Sequence, residues 1–185
     1  MRAGEIVCAV EAELRRAHRR RITKYRREWS IDVGGTRVDV AAINGSITGC
    51  EIKSCRDNFG RLDRQVRAYS AVMDSAVLVV EGRAASRAMD LVPEWWGVWQ
   101  ASAGASGAAR LEVLRPTVCN PQPVPLAIAQ LLWRDEAMAV LRERGDVAGL
   151  RTATRWRLWE ALAVQLPLDQ LRREVRNKIK ARRGW

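Results

Sequence analysis

The chain has 185 residues, of which 48% are hydrophobic and 29% are charged, so it can bury a core and is not a disordered polypeptide. Four cysteines and one histidine exclude a disulfide-rich scaffold and most zinc modules. The net charge of +11 favours a polyanionic partner, and nucleic acid is the default candidate.

The positive charge is concentrated at the two ends of the chain. Residues 1–27 and 134–185 each carry a net charge of +6, whereas residues 28–133 carry −1. This segregation suits a nucleic-acid-binding protein with acidic chemistry in its middle, although a solvated helical face explains either end taken alone. No stretch reaches the roughly 18 apolar residues of a membrane span, and the N-terminus lacks the apolar region of a signal peptide. We therefore expect a cytoplasmic protein with no membrane partner.

The first part of the chain predicts a β-hairpin framed by helices, because apolar residues repeat first at helical spacing and then in alternation. The predicted elements are a helix over 4–26, strands over 28–33, 36–43 and 47–53 with an Asn44-Gly45 turn, a helix over 57–73 and a buried strand over 76–80. Ile6, Val10 and Leu14 form the apolar stripe of the first helix.

The second part predicts a short α-β-β unit and then a helical tail. Its elements are a helix over 83–91, strands over 97–101 and 111–114 around a loop at 102–109, a proline-rich linker over 116–125, and helices from 126 to 185. We therefore expect a core over 1–115, the linker, and a basic helical region. Trp133 lies on an apolar helical stripe, which predicts a core residue.

The hairpin carries the residues with the clearest chemistry. Glu51 and Lys53 share one face of the second strand because side chains alternate. A two-residue turn would place Asp39 opposite Cys50 and away from Glu51, whereas a three-residue turn at 44–46 places it opposite Glu51. The second register also groups the apolar side chains on the other face, so we prefer it. That apolar set is Val38, Val40, Ala42, Cys50 and Ile52.

Two carboxylates side by side can hold a hard divalent cation, to which the Ile52 carbonyl would add a ligand. Such a cation acidifies a bound water and neutralises charge on a phosphate, and Lys53 would assist the water. An exposed cross-strand pair of Asp39 and Glu51 is the plainer interpretation. Gln65 and Tyr69, four residues apart on the next helix, either face this site or are a rim residue and a core aromatic.

These motifs resemble the PD-(D/E)XK nuclease superfamily, which has the restriction-endonuclease-like fold. The similarity lies in Arg37-Val38-Asp39, Glu51-Ile52-Lys53 and the Gln65-x-x-x-Tyr69 element, together with the αβββαβ order of the predicted elements. Over nearly its full length the chain also resembles a bacterial protein family with such a core, in stretches such as 49–54, 92–98 and 131–136.

The resemblance implies an α/β protein with a mixed central sheet, a C-terminal helical extension and a Mg²⁺- or Mn²⁺-dependent nuclease site. Asp39, Glu51 and Lys53 would be catalytic, with Gln65 and Tyr69 in support. The superfamily often adds a metal-binding acid from the first helix, and Glu5 matches that place. No proline precedes Asp39, since Arg37-Val38 stands there.

Basic residues near the site and on the last helix are candidates for phosphate contacts, which add affinity without reading sequence. They are Arg37, Arg61, Arg64, Arg172, Arg173 and Arg176. We expect an endonuclease that acts on DNA in repair, recombination or phage defence. A non-cleaving nucleic-acid-binding module on the same scaffold is the alternative, and RNA is a second possible substrate. A homodimer would suit a symmetric substrate.

Overall fold

The structure, a computed structural model, describes residues 2–31, 35–55, 57–104, 108–145 and 149–183. In this part of the chain six strands form one mixed sheet. The strands are β1 Lys24–Ser30, β2 Arg37–Ile43, β3 Ile47–Lys53, β4 Ser75–Glu81, β5 Gly97–Ala103 and β6 Ala109–Arg115. The helices are α1 Ala3–Ala17, α2 Leu62–Val72, α3 Ala85–Ala88 between two 3₁₀ turns, α4 Pro125–Ala129, α5 Arg134–Glu143, α6 Arg155–Gln165 and α7 Leu168–Ala181.

The strands lie in the sheet in their chain order, β1 to β6. The pairs β1–β2, β2–β3 and β5–β6 are antiparallel, whereas β3–β4 and β4–β5 are parallel. Each parallel pair is joined through a helical connection, α2 in the first case and the α3 segment in the second, as parallel neighbours require. The predicted α/β class with a mixed sheet is therefore confirmed.

Two predicted boundaries near the N-terminus are wrong. The first helix ends at Ala17 rather than at residue 26, and β1 begins at Lys24 rather than at residue 28. Residues 24–30 pair along the backbone of β2, from Lys24 opposite Ile43 to Ser30 opposite Arg37. This pairing outweighs the helical pattern of the basic run, since strand preference depends on context more than on composition. The end of the predicted strand, at 32–33, lies outside the described residues.

The sheet separates two apolar cores. On one face, α1 buries Ile6, Val10 and Leu14 against the hairpin and β4, as the stripe predicts. The partners in this core include Val40, Ala42, Cys50, Ile52, Val77 and Val79. Val38 was expected in the same set but belongs to the larger core, together with its β1 partner Trp29.

The larger core lies on the other face, under α2 and the helices that follow β6. Leu132, Leu158, Leu171 and Val175 belong to the same cluster as Leu78 of the sheet, so the basic C-terminal helices pack on the sheet domain. Trp133 is an exception, because it caps α5 and stays 55% exposed, so the prediction of a core residue is wrong there.

The segment between β6 and α4 follows the surface of this core in extended conformation. The Asn120 side chain donates to the carbonyls of Ser70 (2.7 Å) and Met73 (2.8 Å), and backbone bonds join Val118 to Trp95 and Val124 to Ala71. The proline-rich stretch is therefore held against α2. Among the described helices none is long and apolar enough to cross a bilayer.

Candidate functional site

The register of the β2–β3 hairpin brings the predicted carboxylates together. Val40 lies opposite Cys50 and Ile43 opposite Ile47, which is the register of a three-residue turn. Asn44 closes that turn, because its Oδ1 accepts from the Ser46 backbone N–H at 3.0 Å. The prediction of a turn at 44–46 is confirmed. Asp39 and Glu51 consequently project to the same face of the sheet, the face that α2 covers.

Glu51 is almost fully buried and is held by three side chains. Lys53 Nζ and Gln65 Nε2 donate to its Oε1 at 2.8 and 2.5 Å, and the Tyr69 hydroxyl donates to its Oε2 at 2.9 Å. Gln65 also accepts from Lys53 Nζ through its own Oε1, at 2.8 Å. The one-turn spacing on α2 thus aims Gln65 and Tyr69 at the same carboxylate, as the sequence predicts. Both side chains therefore lie beside Glu51, and Tyr69 is at the same time a fully buried residue of the larger core.

Burial and nearby acids raise the pKa of Tyr69 well above its ordinary value of 10.0. Its hydroxyl therefore stays protonated and remains a donor to Glu51.

Asp39 lies beside Glu51 with a single strong donor. Its Oδ2 accepts from the Ile52 backbone N–H at 2.7 Å. Desolvation raises the pKa of Asp39 from 3.8 to about 7, and the charges of Glu51 and Glu28 act in the same direction. The Ile52 bond and the charge of Lys53 oppose this shift without cancelling it. Two neighbouring carboxylates that resist joint ionisation form a place where a cation is favourable.

These groups line one open cavity of about 270 Å³ at the end of the hairpin. Arg37, Arg61 and Arg64 line the same cavity, so the structure places these three predicted phosphate ligands at the site. Arg61 and Arg64 are exposed and form no ion pair with any described residue. Gly35 makes room for Arg64, because a Cβ at that position would overlap the guanidinium.

Two further acids of the cavity were not predicted. Glu28 lies on β1 with a φ of 50°, a left-handed conformation that a glutamate adopts only at a cost. It stands 3.5 Å from Arg37. Asp57 was expected to begin a helix, but its Oδ2 accepts from the Ser54 backbone N–H and hydroxyl, both at 2.7 Å. The pairing of β1 with β2 brings Glu28 to the site. The sequence around Glu28 has no pattern that predicts this position.

The structure keeps four predicted residues away from the cavity. Glu5 caps α1 by accepting from the Arg2 backbone N–H at 2.8 Å, and α1 packs on the opposite face of the sheet. The expectation that Glu5 joins the site is therefore wrong.

The basic residues of α7 also lie elsewhere. Arg172 and Arg176 form ion pairs with Asp74 at 2.5 and 3.3 Å, at the end of the sheet where β3 and β4 begin. Arg173 is on the surface beside Glu174, at 3.8 Å. Since a strand rises about 3.3 Å per residue, the four steps along β3 from Ile47 to Glu51 place the Asp74 end of the sheet about 13 Å from the nearest β3 residue of the cavity. None of the three lines it.

The donor set at the cavity suits a small hard cation through oxygen ligands. Asp39 and Glu51 supply carboxylates, and Ile52, whose backbone N–H binds Asp39, lines the same cavity. Glu51 Oε1 already accepts two hydrogen bonds, whereas Glu51 Oε2 and both oxygens of Asp39 keep a lone pair beyond the hydrogen bonds described above. Among the described residues no group of three or more His, Cys, Asp and Glu side chains has an arrangement that could hold a metal ion. The described part of the site thus offers two carboxylates, with Ile52 as a further lining residue.

Comparison with known proteins gives a family for the chain. The family model of bacteriophage P4 protein cII matches residues 7–184. The chain belongs to this family. The match includes both the hairpin site and the basic C-terminal helices. No curated protein and no solved structure matches the chain.

Proposed function

We propose that this member of the bacteriophage P4 protein cII family is a divalent-metal-dependent phosphodiesterase that cleaves nucleic acid, with DNA as its substrate. The observation that carries the proposal is the convergence of Asp39, Glu51 and Lys53 in one cavity, where Gln65 and Tyr69 hold Glu51. The name of the family assigns no activity, so the proposal rests on the chemistry of the site. The order α1, β1–β2–β3, α2, β4 supports a restriction-endonuclease-like core beneath it.

Asp39, Glu51 and the Ile52 carbonyl would hold Mg²⁺ or Mn²⁺. When bound, the ion would lower the pKa of a water and offset negative charge on the scissile phosphate. The site is preorganised, because three side-chain donors fix Glu51 and the Ile52 N–H fixes Asp39. Such preorganisation means that the side chains need little rearrangement when the cation and the phosphate arrive.

Lys53 is the cation that this chain itself supplies to the reacting phosphate. Its Nζ is shared by Glu51 and Gln65, and its side chain is 7% exposed, so it is buried at the floor of the cavity. From there the ammonium orients a water or stabilises charge on a non-bridging oxygen. The arginines at the rim would bind the phosphates on either side, since guanidinium groups pair well with phosphate oxygens.

A cleavage screen tests the proposal. Single-stranded, duplex, flapped and four-way DNA, with RNA of the same sequence, would be incubated in Mg²⁺ or Mn²⁺ with the wild-type protein and with Asp39→Asn and Lys53→Met. Both variants should lose cleavage by at least about a hundredfold, in line with the loss of a major electrostatic group. Glu5→Gln is the matched control and should cleave like the wild type, because Glu5 lies on the other face. Cleavage retained by Asp39→Asn would refute the proposal.

A non-cleaving nucleic-acid-binding module is the second candidate. It is favoured by the absence, in the described part of the chain, of a group of three metal-binding side chains. Strong binding with no cleavage of any substrate in the screen would establish it.

A further inference from the structure

A groove leads away from the cavity of the proposed active site. Arg64 lines that cavity and also a second one of about 320 Å³. Ile31 and Gln130 line the second cavity and also a third one of about 370 Å³. Because neighbouring cavities share lining residues, the first cavity adjoins the second and the second adjoins the third. We call the second and third together the side groove, which is lined by Ile31, Arg64, Arg67, Gln130, Trp133 and Arg155, among others.

The side groove has a positive wall. Arg64, Arg67 and Arg155 are exposed, and none of the described residues that line the second and third cavities is acidic. Arg67 pairs with Asp63, but both side chains are exposed, and such surface pairs contribute little and exchange readily. A polyanion is the occupant that this charge complements.

Trp133 stands at the far end of the side groove as a fixed aromatic surface. Arg182 covers its ring, with the guanidinium carbon 4.2 Å from the ring centroid. Arg182 is itself buried and held by Glu136, at 2.6 Å from Nε and 2.5 Å from Nη2, and by the Leu131 carbonyl at 2.7 Å. Despite this contact, Trp133 remains 55% exposed to solvent. A large ring that is fixed by a buried cation and still more than half exposed suits stacking with a nucleobase.

We propose that the side groove binds a single strand of nucleic acid, with one unpaired base stacked on Trp133, next to the phosphate that is cleaved. The bases of a duplex are covered by their neighbours, whereas an unpaired base has a face to offer. The direction of the strand towards the cavity rests on the proposed function. The binding itself does not, because it needs neither the metal nor the carboxylates.

The test is a comparison of binding in EDTA, so that no metal-dependent step contributes. Labelled oligothymidylate and a hairpin duplex of matched length would be titrated with wild type, Trp133→Ala, Trp133→Phe, Arg67→Gln and Trp156→Ala by fluorescence anisotropy. Trp156 is the matched control, because it is 49% exposed but does not line the side groove. Thermal melting of each variant shows that it is folded.

Trp133→Ala should weaken single-strand binding about tenfold, the usual loss for one stacked base, and Trp133→Phe should retain most of it. Arg67→Gln should lower the slope of log K against log salt by about 0.7, the value for one phosphate contact on a single strand. Duplex binding should change much less.

Equal losses of single-strand binding in Trp133→Ala and Trp156→Ala would overturn the inference. An unchanged affinity in Trp133→Ala together with an unchanged salt slope in Arg67→Gln would overturn it as well. If Trp133→Ala loses single-strand binding while the wild type cleaves no substrate, the nuclease proposal is refuted but binding in the side groove is supported.

Discussion

Replacing Asp39 by Asn should stabilise the metal-free protein, and the gain should depend on pH. Asn keeps the size of the side chain and can still accept from the Ile52 N–H through its Oδ1. The substitution removes the negative charge of Asp39. Burial and the charge of Glu51 disfavour that charge and raise the pKa of Asp39 to about 7. The carboxylate therefore costs stability wherever the unfolded chain has already lost the proton that the folded chain retains.

The sign and the window follow from the two pKa values. Below about pH 4 both states bind the proton, so Asp39 has no effect on the free energy of unfolding. From pH 4 to 7 the wild type loses stability, and above pH 7 the loss is constant. A shift from 3.8 to about 7 corresponds to an upper limit of about 4 kcal/mol. Because part of the side chain meets solvent, we expect about 2 kcal/mol, which is a rise of roughly 4–8 °C in Tm for a domain of this size.

Thermal melting in EDTA at pH 5 and pH 8 measures this effect. Asp39→Asn should melt above the wild type at pH 8 and approach it at pH 5. Adding Mg²⁺ at pH 8 should raise the Tm of the wild type and leave that of Asp39→Asn unchanged, since ligand that binds only the folded state stabilises it. Asp135→Asn, at a side chain that is 95% exposed, controls for the change in net charge. An Asp39→Asn protein that melts at or below the wild type at pH 8 would refute the reasoning.

Three further substitutions test the supports of the site and of the side groove. Tyr69→Phe removes the 2.9 Å bond to Glu51 and should cost about 2 kcal/mol in urea unfolding, as expected for a buried bond to a charged group. Gly49→Ala should cost a similar amount by denaturant titration, because its Cβ would meet a ring carbon of Tyr69 at 3.0 Å. Glu136→Ala leaves the buried Arg182 without its carboxylate and should lower the unfolding free energy by about 3 kcal/mol. A loss below about 0.5 kcal/mol in any of the three variants would contradict the packing or bonding on which its prediction rests.

The hairpin site was predictable because its geometry is local. Alternation along a strand and the length of one turn are enough to decide whether Asp39 lies opposite Glu51, and the apolar residues on the other face select the register. The four-residue spacing of Gln65 and Tyr69 is equally local. No information about distant parts of the chain was needed for these contacts.

Glu5 and Glu28 show where local reasoning fails. Glu5 is close to the N-terminus of a helix in any interpretation, but the face of the sheet on which α1 packs is decided by the apolar stripe that it buries. Glu28 reaches the cavity only because residues 24–30 form a strand instead of continuing the helix. Both outcomes depend on tertiary pairing, which composition and periodicity do not specify.

The arginines of α7 illustrate a related limit. A run of basic residues predicts positive potential, but it does not show which charges are neutralised by the fold. Asp74 pairs with both Arg172 and Arg176, so these two support the packing of α7, whereas Arg61 and Arg64 on the cavity rim have no such partner among the described residues. Trp133 shows the same limit, because its partner Arg182 lies 49 residues further along the chain and could not be found by spacing.

The two carboxylates of the site are supported unequally, and this difference shows how a nearly neutral middle segment would suit the proposed polyanionic partner. Glu51 receives three side-chain donors, including the buried ammonium of Lys53, whereas Asp39 receives one backbone N–H. Without a cation, the electrostatic strain therefore falls on Asp39, and a proton relieves it at neutral pH on a carboxylate that would help to hold the proposed metal ion. A divalent cation would displace this proton and leave a net positive floor beneath the arginine rim. In the proposed reaction the acidic centre and the basic surface would then act on the same phosphate rather than against each other.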